Sequence, residues 1–329
     1  IGGSGTLIGS GNLNITKDTG EGSTSVFTAG SGTITIGGNL SISNGATFTK
    51  DPFGLIVFNK GTSAQQLTSD GEDMGNIRIS AGLGATTLTL QDALDADNIT
   101  IDINQILDVK LGVDNAISCG GNWDNNGTFT ARSGAVTFDG SASQDIDAGS
   151  SSFNNVTLSN NTFTLSTSTM TVGGNLLIGT GKNPSITSTN IAFTVTGTIN
   201  STSGENNDLT LDVCSATVTL TGAVGPTDNL GTIDITCGSF VGSNTITAAA
   251  NKNITITTDA ISLANTVTTS GTGNITIEPR TTTTTIGLND ASSSLNLTST
   301  ELGYLASAGT VTIGLVTTGT GAITIGSTA

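Results

Sequence analysis

The chain has 329 residues, 45 of them Gly, with 35% hydrophobic, 10% charged and 4% aromatic residues and a formal net charge of −16. It contains no His, which removes the commonest general base and the commonest neutral metal ligand, and excludes Ser-His-Asp and Cys-His catalysis within the chain. Nine basic residues against 25 acidic ones argue against nucleic acid, and equally against docking on anionic lipid.

In chain order, residues 1–32 read as glycine-spaced strands without a charged leader or a run of the roughly 18 apolar residues that a membrane helix needs. The chain starts at Ile1 without Met and stops in mid-pattern at "GAITIGSTA", so it reads as a mature or excised piece of a longer polypeptide, with coils at both ends awaiting neighbours. From 33 to 49, "TITIGGNLSISNGATFT" alternates apolar and polar residues, breaks at Gly37-Gly38-Asn39 and alternates again. The device returns at Gly120-Gly121-Asn122 and at Gly173-Gly174-Asn175. Period two over four to six residues between Gly, Asn, Ser and Asp predicts short strands and turns, the corner Gly and Asn supplying positive φ.

Two repeat families follow. In the first, "GLIVF" (54–58) matches "GAVTF" (134–138), Gln65 and Leu67 match Gln144 and Ile146, and "MGNIRIS" (74–80) matches "FNNVTLS" (153–159), giving an irregular unit of about 80 residues. In the second, Ile233 and Ile235 recur as Ile254 and Ile256, 21 residues on, and as Ile275 and Ile277 after 21 more, with Leu295 and Leu297 following after 20. Residues 1–204 are therefore irregular coils and 205–329 a regular repeat continuous with them. A repeat of about 21 residues holding two or three short strands is what one coil of a parallel β-helix requires, since a single coil cannot bury its inward face alone. The predicted fold is an all-β solenoid of roughly 15 coils, about 70 Å long at about 4.8 Å per coil. The competing architecture is a string of β-sandwich domains.

Functional residues are sparse. Asp92, Asp95, Asp97, Asp102, Asp108 and Asp114 form the densest acidic stretch, joined upstream by Asp70, Glu72 and Asp73. They read either as a Ca²⁺ or catalytic patch of the kind β-helical polysaccharide-degrading enzymes use, or as solvated turn aspartates. The repeated T-x-T, with the run "TTTTTIG" ending at Gly287, reads as outward strand Thr or as an ice-binding hydroxyl array interrupted at "DIT", "SLN" and "SIS". Cys119, Cys214 and Cys237 are too scattered for a disulfide framework; Cys214 and Cys237 lie about one repeat apart, and their parity opposes pairing unless a bulge intervenes. Asn14, Asn39, Asn98, Asn126, Asn155, Asn253, Asn274 and Asn296 begin N-x-S/T triplets, which read either as glycosylation acceptors of a secreted protein or as corner asparagines followed by the first residues of a strand, and the lone Trp123 replaces Leu40 of the first repeat as a core residue.

The order "NITI-P", "TIGL", "LNL", "L-YL", "TVTIG", "AITIG" within 274–326 resembles the repeat of very large bacterial surface proteins of the filamentous haemagglutinin type, and "GGNW-NNGTF", "GAVTFDG" and "F-NVTLS" at 120–159 resemble another repeat common in giant secreted bacterial proteins. The resemblance implies a right-handed β-helix at the cell surface or outside the cell, and carries over no catalytic residue. The expectation is a non-enzymatic structural segment, without an obligatory cofactor, whose partners are copies of itself or adjacent repeats of the same polypeptide. The runner-up is an adhesin stalk that binds cell-surface glycans; a polysaccharide-degrading enzyme comes third.

Overall fold

Short runs of Thr, Ile, Val and Leu cannot sustain a helix but fit a pleated surface, with the β-branched Thr outward and the aliphatic residue inward. In the computed structural model, which describes residues 5–17, 25–61, 64–80, 84–315 and 317–326, these runs form parallel strands stacked coil on coil. The end segments expected to await neighbours include residues 1–4 and 327–329, which lie outside the described residues. The chain is an all-β solenoid of about 11 turns. The turns are fewer than the expected 15 because the coils are not uniform: register partners lie 27 residues apart at Leu7 and Ile34, 21 apart at Ile233 and Ile254, and 36 apart at Ile275 and Val311.

Contacts divide the chain into two compact units, Ile1–Val156 and Thr157–Ala329. The change of repeat spacing at 204/205 falls inside the second. In the first unit one side of the coils carries Thr33–Ile36, Leu55–Phe58, Asn76–Ile79, Ile99–Ile101 and Trp123–Asn125 as successive parallel neighbours. A second side carries Leu40–Ser43, Ala64–Thr68, Thr87–Leu90 and Ile106–Asp108. A third carries Leu94–Ala96, Ile117–Cys119 and Ala135–Phe138. The matched segments "GLIVF" and "GAVTF" therefore sit on different sides of the same unit. A repeat of about 80 residues is not a whole number of coils, so its second copy is rotated by one side.

In the second unit Ile233, Ile254 and Ile275 are register partners, as are Ile235, Ile256 and Ile277, all at most 1% exposed. The expected ladder holds here. It does not pass to Leu295. Ile275 pairs with Val311, while Leu295–Leu297 pairs with Ile286–Leu288, which in turn pairs with Ile323–Ile325. The 36-residue coil accommodates this excursion, and within it Ser299–Gly303 forms a short helix that the strand pattern did not predict.

Candidate functional site

The Gly-Gly-Asn corners are built by close approach. Gly37, Gly38, Gly120 and Gly121 do not adopt positive φ, contrary to the sequence reading. A Cβ on Gly38 would overlap the Gly11–Asn12 peptide of the preceding coil, and one on Gly121 would meet the Asn98 side chain. Left-handed backbone is instead supplied elsewhere, at Asn44, Asn104, Asn190 and Asn251 among others. The corner Asn is a coil-to-coil tie: its side-chain carbonyl accepts the main-chain N–H of a residue one coil on. Asn39 Oδ1 accepts from Gln66 at 3.0 Å, Asn122 Oδ1 from Asp145 at 2.9 Å, and Asn175 Oδ1 from Thr198 at 2.9 Å. Asn98, Asn253 and Asn274 do the same, so these asparagines serve as corners.

Behind two of these corners lies a buried glutamine that the sequence showed only as a repeat match. Gln65 is 0% exposed; its Nε2 donates to the Ile36 and Gly38 carbonyls and its Oε1 accepts from Lys60 N at 3.4 Å. Gln144 is 1% exposed; its Nε2 donates to Cys119 O at 2.8 Å and Gly121 O at 2.6 Å, and its Oε1 accepts from Gly140 N at 3.0 Å. Each glutamine caps the carbonyls at the Gly-Gly-Asn break: Ile36 O and Cys119 O also keep a ladder partner, Asn59 N and Asp139 N at 3.2 Å, while Gly38 O and Gly121 O lie within the break itself.

The acidic stretch is wound around the coils, and its members do different jobs. Asp92 accepts from Ser69 N at 2.9 Å and Asp70 N at 2.7 Å, fastening the preceding corner. Asp102 pairs with Arg78 at 3.0 Å. Asp108 takes Arg132 in a two-bond fork at 2.6 and 2.7 Å, and the Arg132 bonds hold its carboxyl below the usual aspartate value against the opposing effect of burial. Asp97 shares Lys50 with Asp73, at 2.7 and 2.5 Å, so one ammonium ties three successive coils. Asp95 points outward, beside Asp73. Asp114 occupies a left-handed corner at φ 57°, Asp70 accepts from Gly45 N at 3.0 Å, and Glu72 accepts from Phe48 N at 3.1 Å. Among the described residues no three His, Cys, Asp or Glu side chains converge as a metal-ligand set. Arg78, Asp102, Ile103 and Asn126 border a shallow open cleft of about 460 Å³.

All three cysteines are free thiols, so no bulge brings Cys214 to Cys237. Cys214 sits half-buried at a left-handed corner, φ 53°, whereas Cys119 and Cys237 are 0% exposed, and burial pushes their thiols up to about 12 and about 11. Trp123 is 1% exposed and meets Phe129 edge-on at 4.8 Å and Phe153 at 5.2 Å; its indole N–H is the one buried side-chain polar atom lacking a hydrogen-bond partner among the described residues.

The outward side chains of the second unit's long sheet form two columns. One runs Thr162, Ser185, Thr210, Asp234, Thr255, Thr276, Thr312; the other runs Thr164, Thr187, Asp212, Thr236, Thr257, Glu278. Ser or Thr holds 10 of these 13 positions and no Lys or Arg holds any. Of the three sequence interruptions, only "DIT" falls on this face.

No helix among the described residues is long and apolar enough to cross a membrane. No protein-family model, curated protein or solved structure matches the chain.

Proposed function

We propose that the chain is a structural, non-enzymatic β-solenoid segment of a large secreted bacterial surface protein, and that it associates laterally with copies of itself or with adjacent repeats. The observation that carries this reading is the hydroxyl-lined face of the second unit. A broad parallel sheet presenting Thr and Ser at regular intervals, with few charges, offers many weak contacts and no pocket. The chain's other polar side chains support the same reading, because Gln65, Gln144, the corner asparagines and most of the acidic stretch are engaged in tying coil to coil. Asp102 and Asp108, the residues on which carboxylate catalysis would rest, are each bound to an arginine. The likeness of residues 274–326 to haemagglutinin-type repeats supports placement outside the cell.

Electron microscopy of the purified chain, with and without a calcium chelator, tests the proposal. Filaments or sheets that persist in chelator are the expected result. Dispersed particles in both conditions would overturn it, and chelator-sensitive filaments would assign the aspartates to Ca²⁺. One observation favours a second reading, an adhesin stalk: the Arg78–Asp102 cleft places donors, acceptors and the exposed Ile103 side by side. Binding to a neutral glycan array that Ile103→Ser abolishes would support that reading.

A further inference from the structure

The parallel register of the first unit sets aspartate directly against aspartate twice. Asp73 and Asp95 are bridge partners on adjacent coils, and Asp124 and Asp147 are register partners on the neighbouring strands Trp123–Asn125 and Gln144–Asp147. Partners on adjacent strands stand about 4.8 Å apart along the stack, and like charges so placed destabilise a sheet. A single conservative change at either position would remove the conflict, yet each pair stands in a setting that does not neutralise it.

Around Asp95 stand Asp73, Asp97 and Asp139, with one cation, Lys50. That ammonium is committed to Asp73 at 2.5 Å and Asp97 at 2.7 Å. Asp139 accepts from Ser118 Oγ at 3.0 Å, and Asp95 receives none of these bonds. Around Asp124 stand Asp147 and Asp102, with Arg78 as the cation and Asn126 as a donor at 2.7 Å. Arg78 is committed to Asp102 at 3.0 Å. Asp147 accepts from Gly149 N at 3.0 Å. In each cluster, then, carboxylates outnumber the available cation and one aspartate is left to carry the excess.

We propose that the opposed pairs Asp73–Asp95 and Asp124–Asp147 make the first unit an acid-tightened stack, whose coils hold together more firmly in mild acid than at neutral pH. Partial burial, followed by the neighbouring Asp73 and Asp139 charges, raises the proton affinity of Asp95; partial burial, followed by the Asp147 charge, raises that of Asp124. A carboxyl whose folded-state value lies above its unfolded value binds its proton more tightly when folded. Folding therefore gains stability as pH falls through the folded value, and the gain is complete below the unfolded value. Asp108 and Asp259 have the opposite sign: their stabilisation is present above the unfolded value and is lost as pH falls through their lowered folded values. In the first unit, Asp95 and Asp124 therefore favour folding as pH falls from neutrality into mild acid, and the loss of the Asp108 contribution sets in only at lower pH. The device does not depend on lateral association, since it acts within one copy.

The test uses the full chain at low salt, comparing the parent with the isosteric double variant Asp95→Asn/Asp124→Asn. Amide hydrogen exchange in Leu94–Ala96, Ile117–Cys119 and Trp123–Asn125 is followed from neutral pH into mild acid, alongside carbonyl NMR titration of the two aspartates. The parent should gain protection on acidification after correction for intrinsic exchange, with Asp95 and Asp124 titrating above the usual aspartate value. The variant should be more protected at neutral pH, show a Tm higher by about 1–3 °C, and lose the acid-dependent gain. Parent protection that is flat or falling over the same interval would overturn the proposal. So would a variant that keeps the parent's pH dependence, or Asp95 and Asp124 titrating at ordinary aspartate values.

Discussion

At the scale of the residue, the side chains that matter most are those facing a backbone that has left the ladder. Gln65 holds the Gly38 carbonyl inside the Gly37-Gly38 corner, and shares the Ile36 carbonyl with Asn59 N, from a fully buried site. Replacing it by the similarly sized Leu removes the partners of the Gly38 carbonyl and the Lys60 N–H at nearly constant volume, while Ile36 O keeps Asn59 N at 3.2 Å, so Gln65→Leu should lower stability by about 1–3 kcal/mol, read from thermal unfolding by circular dichroism. Gln144→Leu should behave alike, because the second copy rebuilds the same corner. Trp123 supplies the contrast. Its N–H has no acceptor to lose, so Trp123→Phe should cost less than about 1.5 kcal/mol while keeping the ring cluster with Phe129 and Phe153. A larger loss would measure the cavity left by the missing ring, since Trp123 is 1% exposed. The cysteines divide by exposure in the same manner. Cys214 should react with a maleimide in the native state, whereas Cys119 and Cys237, buried and held as thiols, should react only on unfolding, and mass spectrometry of the labelled chain checks the order.

At the scale of the element, the sequence was legible wherever the coil length held constant. The spacing of 21 residues placed Ile233, Ile254 and Ile275 in one ladder because identical coils repeat their inward positions without a phase shift. Leu295 misled for a physical reason. Period-two alternation shows that a residue faces inward but not which side of the coil it occupies, and the same ambiguity hid the rotation between "GLIVF" and "GAVTF". The excursion that displaces Leu295 did leave a local signal, Thr298-x-x-Glu301, a capping box that opens the short helix. Glu301 does more than cap. Its Oε2 accepts from Thr298 N at 2.9 Å, while its Oε1 accepts from Leu263 N at 2.9 Å on the free edge of the strand Ala260–Leu263, whose other edge pairs with Ser239–Gly242. Glu301→Ala should therefore expose the Leu263 amide to hydrogen exchange and cost about 2–3 kcal/mol, with the loss confined to the excursion and the coil beneath it. The corner glycines were legible as breaks but not in mechanism, since the backbone that excludes a Cβ at Gly38 belongs to a coil 27 residues earlier.

At the scale of the whole molecule, the issue is whether a chain of net charge −16 can pack against copies of itself. Two such copies repel at long range, and the hydroxyl face gains only short-range contacts when they meet. Ionic strength should decide between these effects. The Debye length falls from about 30 Å at 0.01 M to about 8 Å at 0.15 M, which shortens the repulsion without weakening hydroxyl contacts at the surface. Sedimentation velocity should therefore show small species at low salt and progressively larger ones as salt rises. If the outward columns of the second unit are the meeting surface, Thr164→Tyr/Thr276→Tyr should suppress that growth: two rings standing proud of the sheet prevent close approach while the charge stays the same. Both positions are on strands, where Tyr is well tolerated, so the thermal transition should stay within about 0.5 kcal/mol of the parent. Growth that rises with salt equally in both proteins would assign the contact to another face. A sedimentation profile that does not change with salt in either would remove lateral association as the role of this surface.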